Sequence, residues 1–169
     1  MPVAPLRGIA MKTADAIAEI LRREGVEWVI GYPVNHILER GAALGLRPII
    51  VRQQRPGLHM PDAISRVTSG AQIGVFCMQH GPGTENAYGG VAQAFSESVP
   101  ILVMPQGYAQ NNAYVKPNFN STLNFQHVTK SVEPLVAEAQ ERCPGVEVVA
   151  AADLMSLSVQ AGGALTTAA

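Results

Sequence analysis

Charge is scarce in this chain. Asp, Glu, Lys and Arg make up 15% of its 169 residues, the formal net charge is -1, and no run of basic residues occurs. A protein that grips nucleic acid by its phosphates needs a positive stripe or patch, so that class of partner is not expected. Cysteine is also rare. Cys77 lies inside an apolar run and Cys143 precedes a Pro-Gly turn. Their spacing suggests neither a metal site nor a disulfide framework, and both read as thiols kept in a reducing compartment. No stretch supplies the roughly 20 apolar residues that cross a bilayer. Residues 1–10 have no continuous apolar core, which speaks against a secretory signal. No internal repeat is visible. The expectation is a cytoplasmic protein with neither a membrane nor a nucleic-acid partner.

What is present is apolar sequence in short, punctuated pieces. With 47% hydrophobic residues the chain can bury a real core, and its length suggests one domain. Thr13 caps a helix whose apolar positions Ala14, Ile17, Ile20 and Leu21 recur at helical spacing, with Gly25 as its stop. Strands are expected at residues 26–30, 47–51, 72–78 and 100–104, with helices at 35–43, 54–69 and 84–97 between them. This alternation implies an α/β fold: a doubly wound parallel sheet with helices on both faces. Unalternating runs such as Ile101-Leu102-Val103-Met104 fit strands covered on both sides. Residues 107–124, rich in Asn, Tyr and Ser, break the rhythm, as long irregular segments with a function do. A short helix is expected near 122–126 and a last strand at 146–149. The Gly, Ala and Thr of residues 160–169 read as a flexible tail.

In a parallel sheet, the loops leaving the carboxyl ends of the strands gather at one rim, where ligands bind. Three such loops carry polar or glycine-rich sequence: Gly31-Tyr32-Pro33, Arg52-Gln53-Gln54-Arg55, and Gln79-His80-Gly81-Pro82-Gly83. The last opens a helix whose free amides can face an anion or a ring. None has the spacing of a phosphate P-loop or a dinucleotide fingerprint. As isolated residues, Tyr32 reads as a packed turn residue, Gln54 as a polar residue of a first helical turn, His80 as exposed and Asn86 as a cap.

Taken together, the residues from Met11-Lys12-Thr13-Ala14-Asp15-Ala16 through Val29-Ile30-Gly31-Tyr32-Pro33, the segment from Arg52 to Arg66 and His80-Gly81-Pro82-Gly83-Thr84-Glu85-Asn86 carry a resemblance. They resemble the pyrimidine-binding domain of thiamine diphosphate enzymes, above all the acetolactate synthase-like group. The likeness runs from about residue 11 to residue 130, so a pyrimidine-binding α/β domain is expected over 11–159, after an extension at 1–10.

The resemblance implies thiamine diphosphate with Mg²⁺ as cofactor and a 2-oxo acid as substrate, in a lyase, decarboxylase or carboligase. It implies that Gly31, Tyr32, Pro33, Gln54, Pro82 and Asn86 contact the aminopyrimidine. His80, Phe125 and Gln126 would lie near substrate or a neighbouring subunit. No metal ligand falls in this chain. Instead, a partner domain with Gly-Asp-Gly followed by Asn, absent from this sequence, would hold the diphosphate and Mg²⁺. FAD occurs in some acetolactate synthase relatives, and nothing here supports it.

Gln54 stands where the family has a catalytic glutamate that bonds the pyrimidine ring and promotes its imino tautomer. A carboxyl can pass a proton, whereas an amide only donates or accepts a hydrogen bond. Pro61 is a second departure, expected to kink its helix or to mark a later start. Three functional readings follow from the resemblance. One is the pyrimidine-binding part of an acetolactate synthase-like enzyme, not expected to act alone. Another is the alpha subunit of a split decarboxylase resembling sulfopyruvate decarboxylase. The third is a catalytically degenerate interaction or regulatory paralogue. An unrelated doubly wound ligand-binding domain would be favoured by a mixed or antiparallel sheet. Ala87, Gly89, Gly90, Ala92 and Ala94 allow close helix approach, either to a second subunit in a homo- or hetero-oligomer such as a dimer or to the chain's own sheet.

Overall fold

The computed structural model describes residues 13–33, 35–108, 112, 114–134 and 156–159. Helix α1 (Thr13–Arg23) leads into β1 (Trp28–Gly31), α2 (His36–Ala43), β2 (Arg47–Ile50), α3 (Gln54–Val67), β3 (Gly74–Met78), α4 (Pro82–Ser96) and β4 (Ile101–Pro105). After these come α5 (Ser121–Asn124), β5 (Ser131–Pro134) and β6 (Ser156–Val159). The sheet has the order β2-β1-β3-β4-β6-β5. Its first four strands are parallel, with Ile30 opposite both Ile49 and Phe76, and Phe76 opposite Val103. This is the doubly wound α/β arrangement that the alternation implies.

Alternate residues of the buried strands feed two cores. Phe76, Met78, Ile101 and Val103 meet Leu58 of α3 and Ala87, Val91 and Ala94 of α4 on one face. Val75, Cys77, Leu102 and Met104 meet Leu21, Ile37 and Leu38 from α1 and α2 on the other. Period-2 side-chain alternation is what lets one apolar strand serve both layers. Burial drives the Cys77 thiol far above its ordinary range, as the apolar strand around it implies. Of the four apolar positions anticipated in α1, Ala14, Ile17 and Leu21 pack inward, but Ile20 is exposed.

The structure refines two expectations and narrows two that were open. The sheet is not parallel throughout, because β6 pairs antiparallel with β4 and β5 pairs antiparallel with β6. Helix α4 starts at Pro82 rather than Thr84, since Gly81 takes a positive φ of 56° as its N-cap and Pro82 suits the first helical position. Pro61 does not end or delay α3, which begins at Gln54 and runs on through it. Beneath the helix a Cβ at Gly74 would collide with the Pro61 carbonyl, so the bare strand residue leaves room for the helix backbone there. Finally, Ala87, Gly90 and Ala94 face the chain's own core. A Cβ at Gly90 would come within 2.5 Å of Leu58 Cδ2, whereas one at Gly89 would meet nothing. The strand expected at 146–149, Cys143 and both expected terminal segments lie outside the described residues.

Strand β2 forms one margin of the sheet, and Pro48 sits in its middle, exposed. No described helix is long and apolar enough to cross a membrane. Replacing Gly74 with alanine drives a methyl group into the Pro61 backbone, which should cost about 1–3 kcal/mol. An unchanged urea midpoint for Gly74→Ala would show that α3 does not bear on β3 there.

Candidate functional site

The loops at the carboxyl rim are pinned by hydrogen bonds that extend beyond the strands. Val51 N–H donates to the Gly31 carbonyl at 2.9 Å, Tyr32 N–H to Cys77 at 3.0 Å and Gln106 N–H to Met78 at 2.9 Å. Gly31 is required by contact, since any Cβ would strike the Cys77 carbonyl. Tyr32 is half-buried at this rim and Pro33 is exposed.

Asn35 is the residue that sequence reasoning missed. It is 2% exposed. Its Oδ1 accepts from Ile37 N–H at 3.1 Å and caps α2, while Nδ2 donates to the carbonyls of Met78 at 3.3 Å and Met104 at 3.1 Å. One amide thus ties the exit of β1 to the ends of β3 and β4. The capping pattern was legible, because an Asn precedes an apolar helical run. Its reach across two strands has no local signal.

Gln54 opens α3 and is 6% exposed. Asn86 Nδ2, on the second turn of α4, donates to Gln54 Oε1 at 3.3 Å. Gln54 Nε2 lies against Gly83, where a Cβ would come within 2.7 Å of it and within 2.9 Å of Gln79 Cβ. The structure therefore brings Gln54, Gly83 and Asn86 into direct contact, with the amino ends of α3 and α4 both directed at this rim. Helix amino ends carry partial positive charge and free amides. Pro82 is exposed at the start of α4.

His80 and Gly81 adjoin this cluster through Tyr108, a second residue that sequence reasoning did not single out. The Tyr108 hydroxyl fills the space a Cβ at Gly81 would need. The His80 ring meets Tyr108 edge-on, with centroids 4.7 Å apart and planes at 68°. His80 Nδ1 is buried without a hydrogen-bond partner. Phe125 has gone elsewhere: fully buried, it packs 5.6 Å from Tyr88 and 6.3 Å from Phe119. Gln126 beside it is exposed. Among the described residues, no three His, Cys, Asp or Glu side chains gather to hold a metal.

A cavity of about 270 Å³ opens at the opposite, amino-terminal rim, lined by Ile17, Ile20, Trp28, Ile73 and Leu102 among others. It contains none of Tyr32, Gln54, His80, Gly83 and Asn86. Its lining is mainly apolar, with Glu24, Glu27 and Gln72 as its polar side chains, so the polar rim is the better candidate.

Comparison with known proteins settles the family. Residues 11–130 match the model of the thiamine pyrophosphate enzyme, N-terminal TPP binding domain. The chain belongs to this family. It is 35% identical over 95 residues to the acetolactate synthase large subunit of Haemophilus influenzae, covering 54% of this chain and 16% of that protein. It is 34% identical over 95 residues to the acetolactate synthase isozyme 3 large subunit of Escherichia coli, again 54% of this chain and 16% of that one. A probable 2-ketoarginine decarboxylase of Pseudomonas aeruginosa is 31% identical over 107 residues, 62% of this chain and 18% of that protein. The chain thus matches less than a fifth of these relatives' length. Family membership removes the unrelated-domain reading, and among the described strands antiparallel pairing involves β6 alone, with β4 and with β5.

Asn35→Asp tests the tie between loops. Ionised aspartate keeps the cap but cannot donate to the Met78 and Met104 carbonyls. Stability at neutral pH should fall by about 1–3 kcal/mol. The carboxylate facing two carbonyls has its folded pKa raised above the unfolded value. The variant should therefore recover stability as pH falls toward about 4. Equal melting of the variant and wild type at neutral pH would refute this role.

Proposed function

We propose that the chain is the pyrimidine-binding component of a thiamine diphosphate-dependent 2-oxo acid lyase or carboligase. A separate domain or subunit completes it by holding the diphosphate and Mg²⁺, in a cytoplasmic oligomer. The contact of Gln54 with Gly83 and Asn86, at the carboxyl rim of a family-matched sheet, carries this reading.

The residues present fit a planar aminopyrimidine. Gly31 and Gly83 lack side chains where a Cβ would meet neighbouring atoms, Tyr32 and Pro33 border the rim, and Gln54 and Asn86 supply hydrogen-bonding groups. Bound thiamine diphosphate supplies the carbon nucleophile that makes or breaks a bond beside a 2-oxo group. In this chain Gln54 holds the ring by hydrogen bonding and moves no proton, because a carboxamide has no titration in the working range. Asn86 fixes the Gln54 amide, and Asn35 fixes the loop that carries Tyr32. Gln54 also favours a second reading, a paralogue that keeps the fold and has lost the chemistry. A neighbouring reading frame encoding Gly-Asp-Gly followed by Asn would favour the enzyme component over that paralogue.

Restoring the carboxyl group distinguishes these roles. With thiamine diphosphate, Mg²⁺ and the partner domain, Gln54→Glu should raise deuterium exchange at the thiazolium carbon by about tenfold or more, within the range of general acid–base catalysis. Proton NMR under quench would measure it. An exchange rate identical to wild type would place Gln54 away from the ring.

A further inference from the structure

Which protonation state of the ring this site accepts follows from which atom of Gln54 is free. Gln54 is 6% exposed, and its Oε1 is occupied by Asn86 Nδ2 at 3.3 Å. Its Nε2 donates to no group among the described residues, yet it is not among the atoms fully sealed from solvent, since only His80 Nδ1 is both sealed and unpartnered. A nearly buried amide therefore presents its NH2 group, without an acceptor among the described residues, at the rim.

We propose that the Gln54–Asn86 pair makes this site selective for the uncharged form of a 4-aminopyrimidine, whose ring nitrogen accepts from Gln54 Nε2, against the ring-protonated cation. The proposal rests on the aminopyrimidine reading above and specifies the form that is bound. The protonated ring presents N–H where the neutral ring presents a lone pair, so two donors would face each other and one would stay unsatisfied.

The surrounding charges act in the same direction. Arg52, in the loop before α3, and Arg55, in its first turn, flank Gln54 and are both exposed. From α4, Glu85 is exposed and is the sole carboxylate within residues 79–86. His80, Tyr108, Tyr32 and, at the start of α2, His36 are further titratable groups of the rim. The next carboxylate along α3, Asp62, is paired with Arg66 at 2.7 Å. Two helix amino ends add partial positive charge. No carboxylate stands at position 54 to compensate a cationic ring.

The test is titration of the full chain with 4-amino-2,5-dimethylpyrimidine across the pH range in which that ring protonates, read by calorimetry or ligand-observed NMR. Affinity should fall by about tenfold or more as the ring becomes cationic. Gln54→Glu should abolish or invert that fall, because a carboxylate accepts from the protonated ring. Folding of each variant is checked by circular dichroism at every pH. The converse arrangement, Gln54 donating to Asn86 Oδ1, would leave an acceptor at the rim, so tighter binding at low pH overturns the proposal. So does pH-independent binding, which leaves the aminopyrimidine site standing. Loss of the pH dependence in His80→Asn would assign it to the histidine and also overturn the proposal. Absence of binding at every pH overturns both readings.

Discussion

Helix α3 lies where it does because glycine meets it wherever the backbone comes close. Gly74 admits the Pro61 carbonyl, Gly90 admits Leu58 and Gly83 admits Gln54, while Gly57 on the helix itself lies within van der Waals reach of Val51 and Phe76. A methyl group at any of these points would push the helix off the sheet or off α4. The position of Gln54 is therefore a consequence of packing along the whole helix, and not of its own loop. Burial of Leu58, Phe76 and Val91 in one cluster supplies the apolar contact that holds this close approach.

The rim chemistry then turns on one atom exchange, an amide nitrogen in place of a carboxyl oxygen. An amide matches a carboxyl in size and hydrogen-bonding reach but has no proton to give up. The site can keep its shape, its ring contacts and its bond to Asn86 while losing the acid. On the proposed reading shape and reactivity are separable here, and the same replacement that removes the acid would sharpen the preference for one electronic form of the ligand.

Much of this was readable from the residues in order. Helix and strand periods alternate cleanly from α1 to β4, because buried strands need unbroken apolar runs and each helix needs one apolar stripe. The candidate site residues were legible as loops at one end of parallel strands. What was not legible depends on contacts distant in sequence. Asn35 reaches Met78 and Met104, Tyr108 closes over Gly81, and Gly74 lets the α3 backbone approach β3 at Pro61. Local pattern marks a cap, a loop aromatic and a helix breaker at these three places, and only the tertiary neighbour tells what each does. The antiparallel pairing of β5 and β6 failed to show for the same reason, since strand direction is set by the path of the connection.

The sheet's outer margin has its own consequence. β2 is a border strand with Pro48 at its centre, and proline withholds the amide hydrogen that a docking strand from another molecule would seek. A foreign β-segment laid along this margin would find an interrupted ladder, so self-templated fibre growth from this side is discouraged.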